Sequence, residues 1–402
     1  MFIERCTLAT SKGNTEHLSI SLHDLICRPW FPSGAMAFMP LYTDTFDFSG
    51  MKLDNAGLEE ILRTLTQSSS VCLRRLNLSD NRWEGAGAGK LLREFLQHPA
   101  ASSLVSLDIS ENNLSVECAY ELARGLKSHG KLQTLRMGAC SFDDSATNST
   151  RTKENVWNVL VDSFLGNPSL IELELTVGEA SEEMPSSIDA TGTMAMTRLL
   201  QEHGNLQYLT IVQSPDFLSP ELPKSVNEAL LKAMGRANSK LSSLTLEGCG
   251  IHDETMVMFC DYVLRKPHSS LKYLDLLSND LGKQGYDHLC QTLPVCKSLC
   301  SLSLEGTWMP DWDTFTTAVE KNTSLEYLRV LDAPADVLAA VNQCTTRNYW
   351  MHKVPRVLQD ANDNVQGYAM LKLAQSPQGK HALFHLLTQH GPPQSNKRRR
   401  SA

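Results

Sequence analysis

The sequence lacks several features that would assign the chain to a specialised class of protein. Its eleven cysteines occur singly, with no CxxC pair and no regular disulfide spacing, which indicates reduced thiols in the cytoplasm. No apolar run approaches the roughly 20 residues that cross a bilayer, and the N-terminal residues show no classical secretory signal. We therefore expect a cytoplasmic protein that does not act at a membrane.

Clustered positive charge is also scarce. The chain carries 37 Lys and Arg against 45 Asp and Glu, a formal net charge of −8, whereas nucleic-acid binding needs dense basic patches. The one basic run stands at the end of the sequence, at Lys397, Arg398, Arg399 and Arg400. It resembles a nuclear-import signal, and the alternative is a solubilising tail. We expect no nucleic-acid ligand and a nuclear as well as a cytoplasmic location.

Motifs for catalysis and for cofactors are missing as well. There is no Walker loop, no GxSxG and no GxGxxG after a strand. Cys290, Cys296 and Cys300 cluster at a spacing that does not match common zinc sites, and His381 and His385 lack the HExxH context. These absences predict a protein that is not an enzyme and that uses no cofactor and no metal.

What the sequence has is a repeated phrase, L-x-x-L-x-L-x-x-N-x-apolar. The clearest copy holds Leu73, Leu76, Leu78, Asn81 and Trp83. An earlier copy contains Phe46 and Phe48, and the later copies begin at Leu104, Leu132, Leu170, Leu206, Leu241, Leu271, Leu299 and Leu325. The steps between copies measure 26 to 38 residues, and chance does not align so many apolar positions.

The physical chemistry of the phrase predicts the fold. Leucines two apart lie on the same side of a short strand, and stacked copies pair the strand edges and bury the leucines in a common core. Helical periodicity follows each strand, as at Leu58, Ile61, Leu62 and Leu65. The sequence therefore predicts an α/β solenoid of repeated strand–helix units.

The phrase and its spacing resemble leucine-rich repeats of the ribonuclease-inhibitor-like subclass. That resemblance implies a horseshoe with the parallel sheet on its concave face and the helices on its convex face. It covers residues 43–345 in about ten repeats, after a leader or cap at 1–42 and before a helical cap at 346–390 and a disordered basic tail at 391–402. The middle repeats are longer, which predicts inserted loops and is compatible with a bacterial leucine-rich-repeat effector. These loops are Ser141–Asn155, Gly178–Gly192 and Gln213–Ser225.

The residues between the strand leucines should point out of the concave face. Three tyrosines share one such position, beside Val212, Leu277 and Leu331, and most of the charged residues are acidic. Tyrosines are common interface anchors and acidic side chains attract a basic surface, so we interpret this face as the binding surface; the alternative is a merely solvated sheet. The predicted partner-binding residues are Asp108, Glu172, Glu174, Tyr208, Glu247, Tyr273, Asp275, Glu305, Tyr327 and Arg329.

Together these features predict a monomeric, non-catalytic protein–protein interaction scaffold whose partner has a basic surface. Two alternatives remain open. Ran GTPase-activating proteins share this repeat subclass and regulate a small GTPase, although their acidic C-terminal tail is replaced here by a basic one. A substrate receptor of a ubiquitin ligase would need an F-box, and the sequence resembles one only weakly, at Leu25, Ile26 and Pro32.

Overall fold

The fold is described from a computed structural model, which places residues 20–21, 44–67, 72–112, 114–138, 153–176, 188–305 and 311–360. The chain divides into two compact units. The first consists of the residues up to Ala233 together with Asn238–Leu241, and the second consists of Met234–Ala237 and the residues from Ser242 onward. Both units alternate short strands with helices, as the repeated phrase predicts.

The first unit contains a parallel sheet whose strands pair in chain order. Each strand is followed by a helix, except that the placed residues show none between β1 and β2. The strands are β1 (Ile20–Ser21), β2 (Thr45–Asp47), β3 (Arg75–Asn77), β4 (Ser106–Ile109), β5 (Thr134–Gly138), β6 (Glu172–Thr176) and β7 (Tyr208–Val212). The helices are α1 (Asn55–Gln67), α2 (Gly85–Gln97), α3 (Val116–His129), α4 (Lys153–Leu165), α5 (Ala190–Glu202) and α6 (Lys224–Met234).

The second unit repeats the arrangement with four further parallel strands in the described residues. These are β8 (Ser243–Glu247), β9 (Tyr273–Asp275), β10 (Ser301–Glu305) and β11 (Tyr327–Leu331). Its helices are α7 (Asp253–Phe259), which continues as a π-helical turn over Cys260–Leu264, α8 (Lys283–Thr292), α9 (Trp312–Lys321) and α10 (Ala335–Asp360). The predicted α/β leucine-rich-repeat solenoid is thereby confirmed.

The leucines of the phrase form the core of both units. Leu73, Leu76 and Leu78 of β3 and its flanks are at most 1% exposed, and the equivalent Leu271, Leu274 and Leu276 at most 3%. The helical stripe predicted at Leu58, Ile61, Leu62 and Leu65 is the buried side of α1. Burying a leucine contributes roughly 1.5–3 kcal/mol, so the stacked repeats supply the large apolar term that a single repeat lacks.

A buried asparagine joins the turn after β4 to the repeat before it. The Asn112 side-chain amide donates to the carbonyl of Leu78 in the preceding repeat at 2.9 Å. It also donates to the carbonyls of Ile109 and Ser110 at 3.1 and 3.0 Å. Its Oδ1 accepts the Asn81 N–H at 3.1 Å. With 1% exposure, Asn112 satisfies backbone groups that water cannot reach.

The same arrangement recurs one repeat earlier and in the second unit. Asn81 donates to the Phe48 carbonyl at 3.0 Å and to the Leu78 carbonyl at 2.9 Å. Asn279 donates to the Leu276 carbonyl at 3.0 Å and to the Leu246 carbonyl of the preceding repeat at 2.6 Å. At these three residues the asparagine position of the phrase holds a polar side chain that bonds backbone carbonyls of the turn.

The residue before the asparagine position adopts a left-handed backbone conformation in the seven repeats where the structure describes that residue. Non-glycine residues there pay a steric penalty of about 1–2 kcal/mol, because Cβ crowds the following carbonyl oxygen. The hydrogen bonds of the adjacent turn offset that penalty at Asp80, Glu111 and Ser278. The φ values are +67° at Gly50, +52° at Asp80, +54° at Glu111, +56° at Gln213, +62° at Gly248, +57° at Ser278 and +61° at Asp332.

Three structural elements lie at predicted boundaries or in a predicted loop. The strand at Ile20–Ser21 lies in the predicted leader, and it pairs with Phe46–Asp47 at the edge of β2. Helix α10 runs without interruption through residue 345, where the repeats were expected to end. Of the three predicted loops, Gln213–Ser225 ends in the first turn of α6, and its Phe217 and Leu218 are fully buried.

Other predictions lie outside the described residues. These are most of the leader, the loop sequences 139–152 and 177–187, the cap beyond residue 360 with His381 and His385, and the basic run at 397–400. Within the residues that the structure places, no helix has the length and apolar content needed to cross a membrane.

Candidate functional site

The side chains between the inward leucines form what we call the open face of the sheet. In the first unit the strand register sets its residues side by side, so that Thr134 pairs with Glu172 and Glu172 pairs with Tyr208. One outward position further along, Asp108 pairs with Arg136, and Arg136 pairs with Glu174. The positions that the phrase assigned to the same outward column are therefore neighbours across the strands.

Arg136 is the centre of an acidic cluster on this face. Its Nη2 lies 3.0 Å from Glu172 Oε1, its Nε lies 3.2 Å from Glu174 Oε2, and its Nη1 lies 3.9 Å from Asp108 Oδ2. Thr134 donates its hydroxyl to Glu172 Oε2 at 3.4 Å. One guanidinium therefore stands against three carboxylates, and the cluster keeps an excess of negative charge.

Burial and repulsion shape the ionisation of this cluster. Partial burial raises the pKa of Glu174 above its ordinary value, and repulsion from Asp108 and Glu172 raises it further, while Arg136 opposes both effects. The hydrogen bond from Arg136 to Glu172 raises the pKa of the guanidinium, which stays charged. A nearby cation stabilises the charged form of such a carboxylate, and Arg136 is the cation that does so for Glu174.

The open face also carries the three tyrosines that are exposed among the described residues. Tyr208 is 43% exposed on β7, and Tyr273 and Tyr327 are 51% and 57% exposed on β9 and β11. Only three other large hydrophobic side chains are exposed among the residues that the structure describes, by 36% to 58%. They lie away from the strands, at Met194, Val295 and Leu338. Half of the exposed large hydrophobic groups thus occupy one outward position of the sheet.

The charged residues of the second unit are arranged less densely. Glu305 Oε2 accepts the Ser278 N–H at 3.1 Å, and Asp275 Oδ1 accepts the Leu277 N–H at 3.1 Å. Glu247 is half-buried on β8, and Arg329 is exposed on β11. The structure therefore places every predicted partner-binding residue on the open face of its unit, with three carboxylates and one guanidinium in the second.

Several acidic residues have a structural role that sequence reasoning missed. Asp108 Oδ1 accepts the Ser110 N–H at 3.1 Å, and Asp47 Oδ1 accepts the Ser49 N–H at 3.0 Å. Asn77 bonds the Ser79 N–H in the same way at 3.0 Å. These local bonds end the strand by an Asx turn. The recurring D-x-S and N-x-S triplets were the signal that could have revealed them.

This role leads to a prediction at Asp275. Asp275→Ala should lower the free energy of unfolding by about 0.5–1.5 kcal/mol, because the bond to the Leu277 N–H is lost. Asp275→Asn keeps an acceptor oxygen at the same place and should change it by less than about 0.5 kcal/mol. Denaturant unfolding followed by circular dichroism compares the two variants, and equal losses would show that charge rather than the turn matters.

The expectation that Leu277 points out of the open face is wrong. Leu277 is only 7% exposed, because β9 ends at Asp275 and the chain turns at Ser278, where φ is +57°.

Cys290 and Cys296 are buried, and burial raises the pKa of the Cys290 thiol to about 11. In the described ranges, no three His, Cys, Asp or Glu side chains come together in a way that could hold a metal ion.

The chain is similar to known proteins, and it aligns with only part of the length of each. The chain is 28% identical to the mouse Tonsoku-like protein over 258 residues, which are 64% of this chain and 15% of that protein. It is 26% identical to mouse ribonuclease inhibitor over 317 residues, covering 68% of this chain and 66% of the inhibitor. The chain thus spans less than two thirds of the length of either relative. No protein-family model matches the sequence.

The chain is also similar to a protein of solved structure. The leucine-rich-repeat protein LegL7 from Legionella pneumophila aligns with a TM-score of 0.48 and 13% identity, over 81% of this chain and 98% of that one. The stacked strand–helix repeats described above give the chain a leucine-rich-repeat fold, and its sequence is similar to those of the mouse and pig ribonuclease inhibitors.

Proposed function

We propose that this protein is a non-catalytic interaction scaffold that binds a partner protein on the open face of its sheet. The observation that carries the proposal is the concentration of exposed tyrosine at one outward position, in Tyr208, Tyr273 and Tyr327. Tyrosine supplies a large contact area at a low entropic cost and is enriched among the residues that dominate binding energy. Leucine-rich repeats present such a face on a rigid framework.

The charges of the open face indicate the kind of partner. The Arg136 cluster holds three carboxylates around one guanidinium, and in the second unit Glu247, Asp275 and Glu305 stand against Arg329. An acidic surface speeds the encounter with a basic one and disfavours acidic partners. The proposed partner therefore has a basic patch, and the protein acts as a monomer in the cytoplasm and, by way of its basic tail, in the nucleus.

An affinity purification from eukaryotic cell lysate tests the proposal. The wild type should recover a partner that the triple variant Tyr208→Ala, Tyr273→Ala, Tyr327→Ala loses by at least about tenfold. The matched control is Met194→Ala, Val295→Ala, Leu338→Ala, which removes the same number of exposed hydrophobic side chains from outside the sheet. Circular dichroism confirms that both variants are folded.

Each outcome has a distinct meaning. A partner that the control retains and the tyrosine variant loses supports binding on the open face. A partner that all three proteins recover equally would show that the helices or loops bind it, and the open-face proposal would be abandoned. A small GTPase, a ribonuclease or an adaptor subunit of a ubiquitin ligase among the lost proteins would specify the regulated process.

A further inference from the structure

Tyr273 and Tyr327 stand on either side of one small residue. Ser301 on β10 pairs with Tyr273 of β9 on one side and with Tyr327 of β11 on the other. The two tyrosines are 51% and 57% exposed, and neither ring contacts another ring or a cation among the residues that the structure describes. The open face of the second unit thus has a slot with two aromatic walls and a serine floor.

The spacing of the strands sets the width of this slot. Neighbouring strands lie about 4.8 Å apart, so two strands separate the tyrosines by about 9.6 Å. Strand side chains stand roughly perpendicular to the sheet, and a group centred between the rings would lie about 4.8 Å from each. A cation is attracted to an aromatic face within about 6 Å of the ring centroid. The slot can therefore hold one cation against both rings at once.

The surroundings of the slot are more negative than positive. Asp275 lies two residues beyond Tyr273, and Glu305 and Glu247 follow on β10 and β8. Arg329 lies two residues beyond Tyr327 and is the one cation among the outward strand residues of the second unit. Ser303, the next outward residue of β10, pairs with Asp275 and Arg329 and is only 8% exposed. Three carboxylates against one guanidinium favour a positively charged occupant.

We propose that the Tyr273–Tyr327 slot receives a single lysine or arginine side chain of the partner protein. The proposal rests on the proposed function, and it names the chemical group that the second unit recognises. The aliphatic stem would pack between the rings above Ser301, and the charged head would lie beside the Asp275 carboxylate. Tyr208 belongs to the first unit and pairs with Glu172, so it serves as an internal control.

The slot can be tested directly with small probes. The full chain, labelled with 3-fluorotyrosine and assigned by single substitutions, is titrated with N-acetyl-arginine amide and with N-acetyl-lysine amide while fluorine NMR is recorded. The neutral probes are N-acetyl-citrulline amide, which has nearly the shape of arginine without its charge, and N-acetyl-leucine amide. We expect the Tyr273 and Tyr327 resonances to shift along one saturation curve with the cationic probes, while the Tyr208 resonance, which has a neighbouring carboxylate but no second aromatic wall, responds more weakly.

Variants separate the ring from the hydroxyl group. Tyr327→Leu should weaken the response of Tyr273 about tenfold, because one aromatic wall is gone, whereas Tyr327→Phe should keep it within about threefold, because the ring face attracts the cation. The proposal is overturned if neither resonance responds to the cationic probes, if citrulline or leucine acts equally well, or if Tyr208 responds as strongly. A partner lost from the tyrosine variant in the affinity purification would leave the proposed function standing in each of those cases.

Discussion

Replacing Asn112 with alanine is expected to lower the free energy of unfolding by about 2–4 kcal/mol, because a buried group that loses its hydrogen-bond partner costs about 1–3 kcal/mol. The Asn112 side-chain amide donates to three carbonyls, including that of Leu78 in the preceding repeat, and its Oδ1 accepts the Asn81 N–H. The residue is 1% exposed, so water cannot replace those bonds. Denaturant unfolding followed by circular dichroism measures the loss.

Two further substitutions give this prediction its controls. Asn112→Asp keeps an acceptor but turns the three donating contacts into repulsion between oxygens, so it should be at least as destabilising as alanine. Asn342→Ala removes an asparagine that is exposed on α10 and should change the stability by less than about 0.5 kcal/mol. Wild-type stability of the Asp variant would contradict the role assigned to the amide.

Leu276→Ala is expected to cost about 2–5 kcal/mol, the range for a large buried side chain whose removal leaves a cavity. Leu276 is 1% exposed in the core of the second unit, and its N–H donates to the Ser303 carbonyl at 3.0 Å, a bond that alanine retains. The loss therefore reports on packing alone. Thermal unfolding of the variant beside the wild type measures it.

The matched control for that prediction is Leu338→Ala on α10. Leu338 is 36% exposed, so its truncation should cost less than about 1 kcal/mol. If the two leucine variants melted at the same temperature, the inward orientation that the repeat phrase assigns to Leu276 would be refuted.

The register of the sheet could be predicted from the sequence because its signal is periodic. Leucines two residues apart identify the buried side of a strand, and the columns drawn from the phrase became neighbours in the structure, as at Asp108, Arg136 and Glu174. The phrase also identified the turns that Asn81 and Asn112 stabilise. Those features depend on apolar pattern and on one polar residue at a fixed place.

Other features could not be predicted because they depend on where each strand ends. The phrase is the same at β9 and β10, yet β9 stops at Asp275 and β10 continues to Glu305, and this difference buries Leu277. An acidic residue on the open face can serve either a binding surface or an Asx turn, and the sequence alone does not separate these two roles at Asp108 and Asp275. The three contacts of the Arg136 guanidinium depend on the rotamer of its long side chain, and the repeat pattern does not specify that rotamer.

The direction of the asparagine bonds has a consequence for synthesis of the chain. The carbonyl of Phe48 accepts from the Asn81 amide 33 residues later, and the carbonyl of Leu78, which already accepts from Asn81, gains a second donor in the Asn112 amide 34 residues later. Ribosomes add roughly 5–20 residues per second, so each of these turns stays incomplete for about 2–7 s until the following repeat has emerged. The nascent chain therefore closes its turns one repeat behind the point of elongation, from the N-terminus toward the C-terminus.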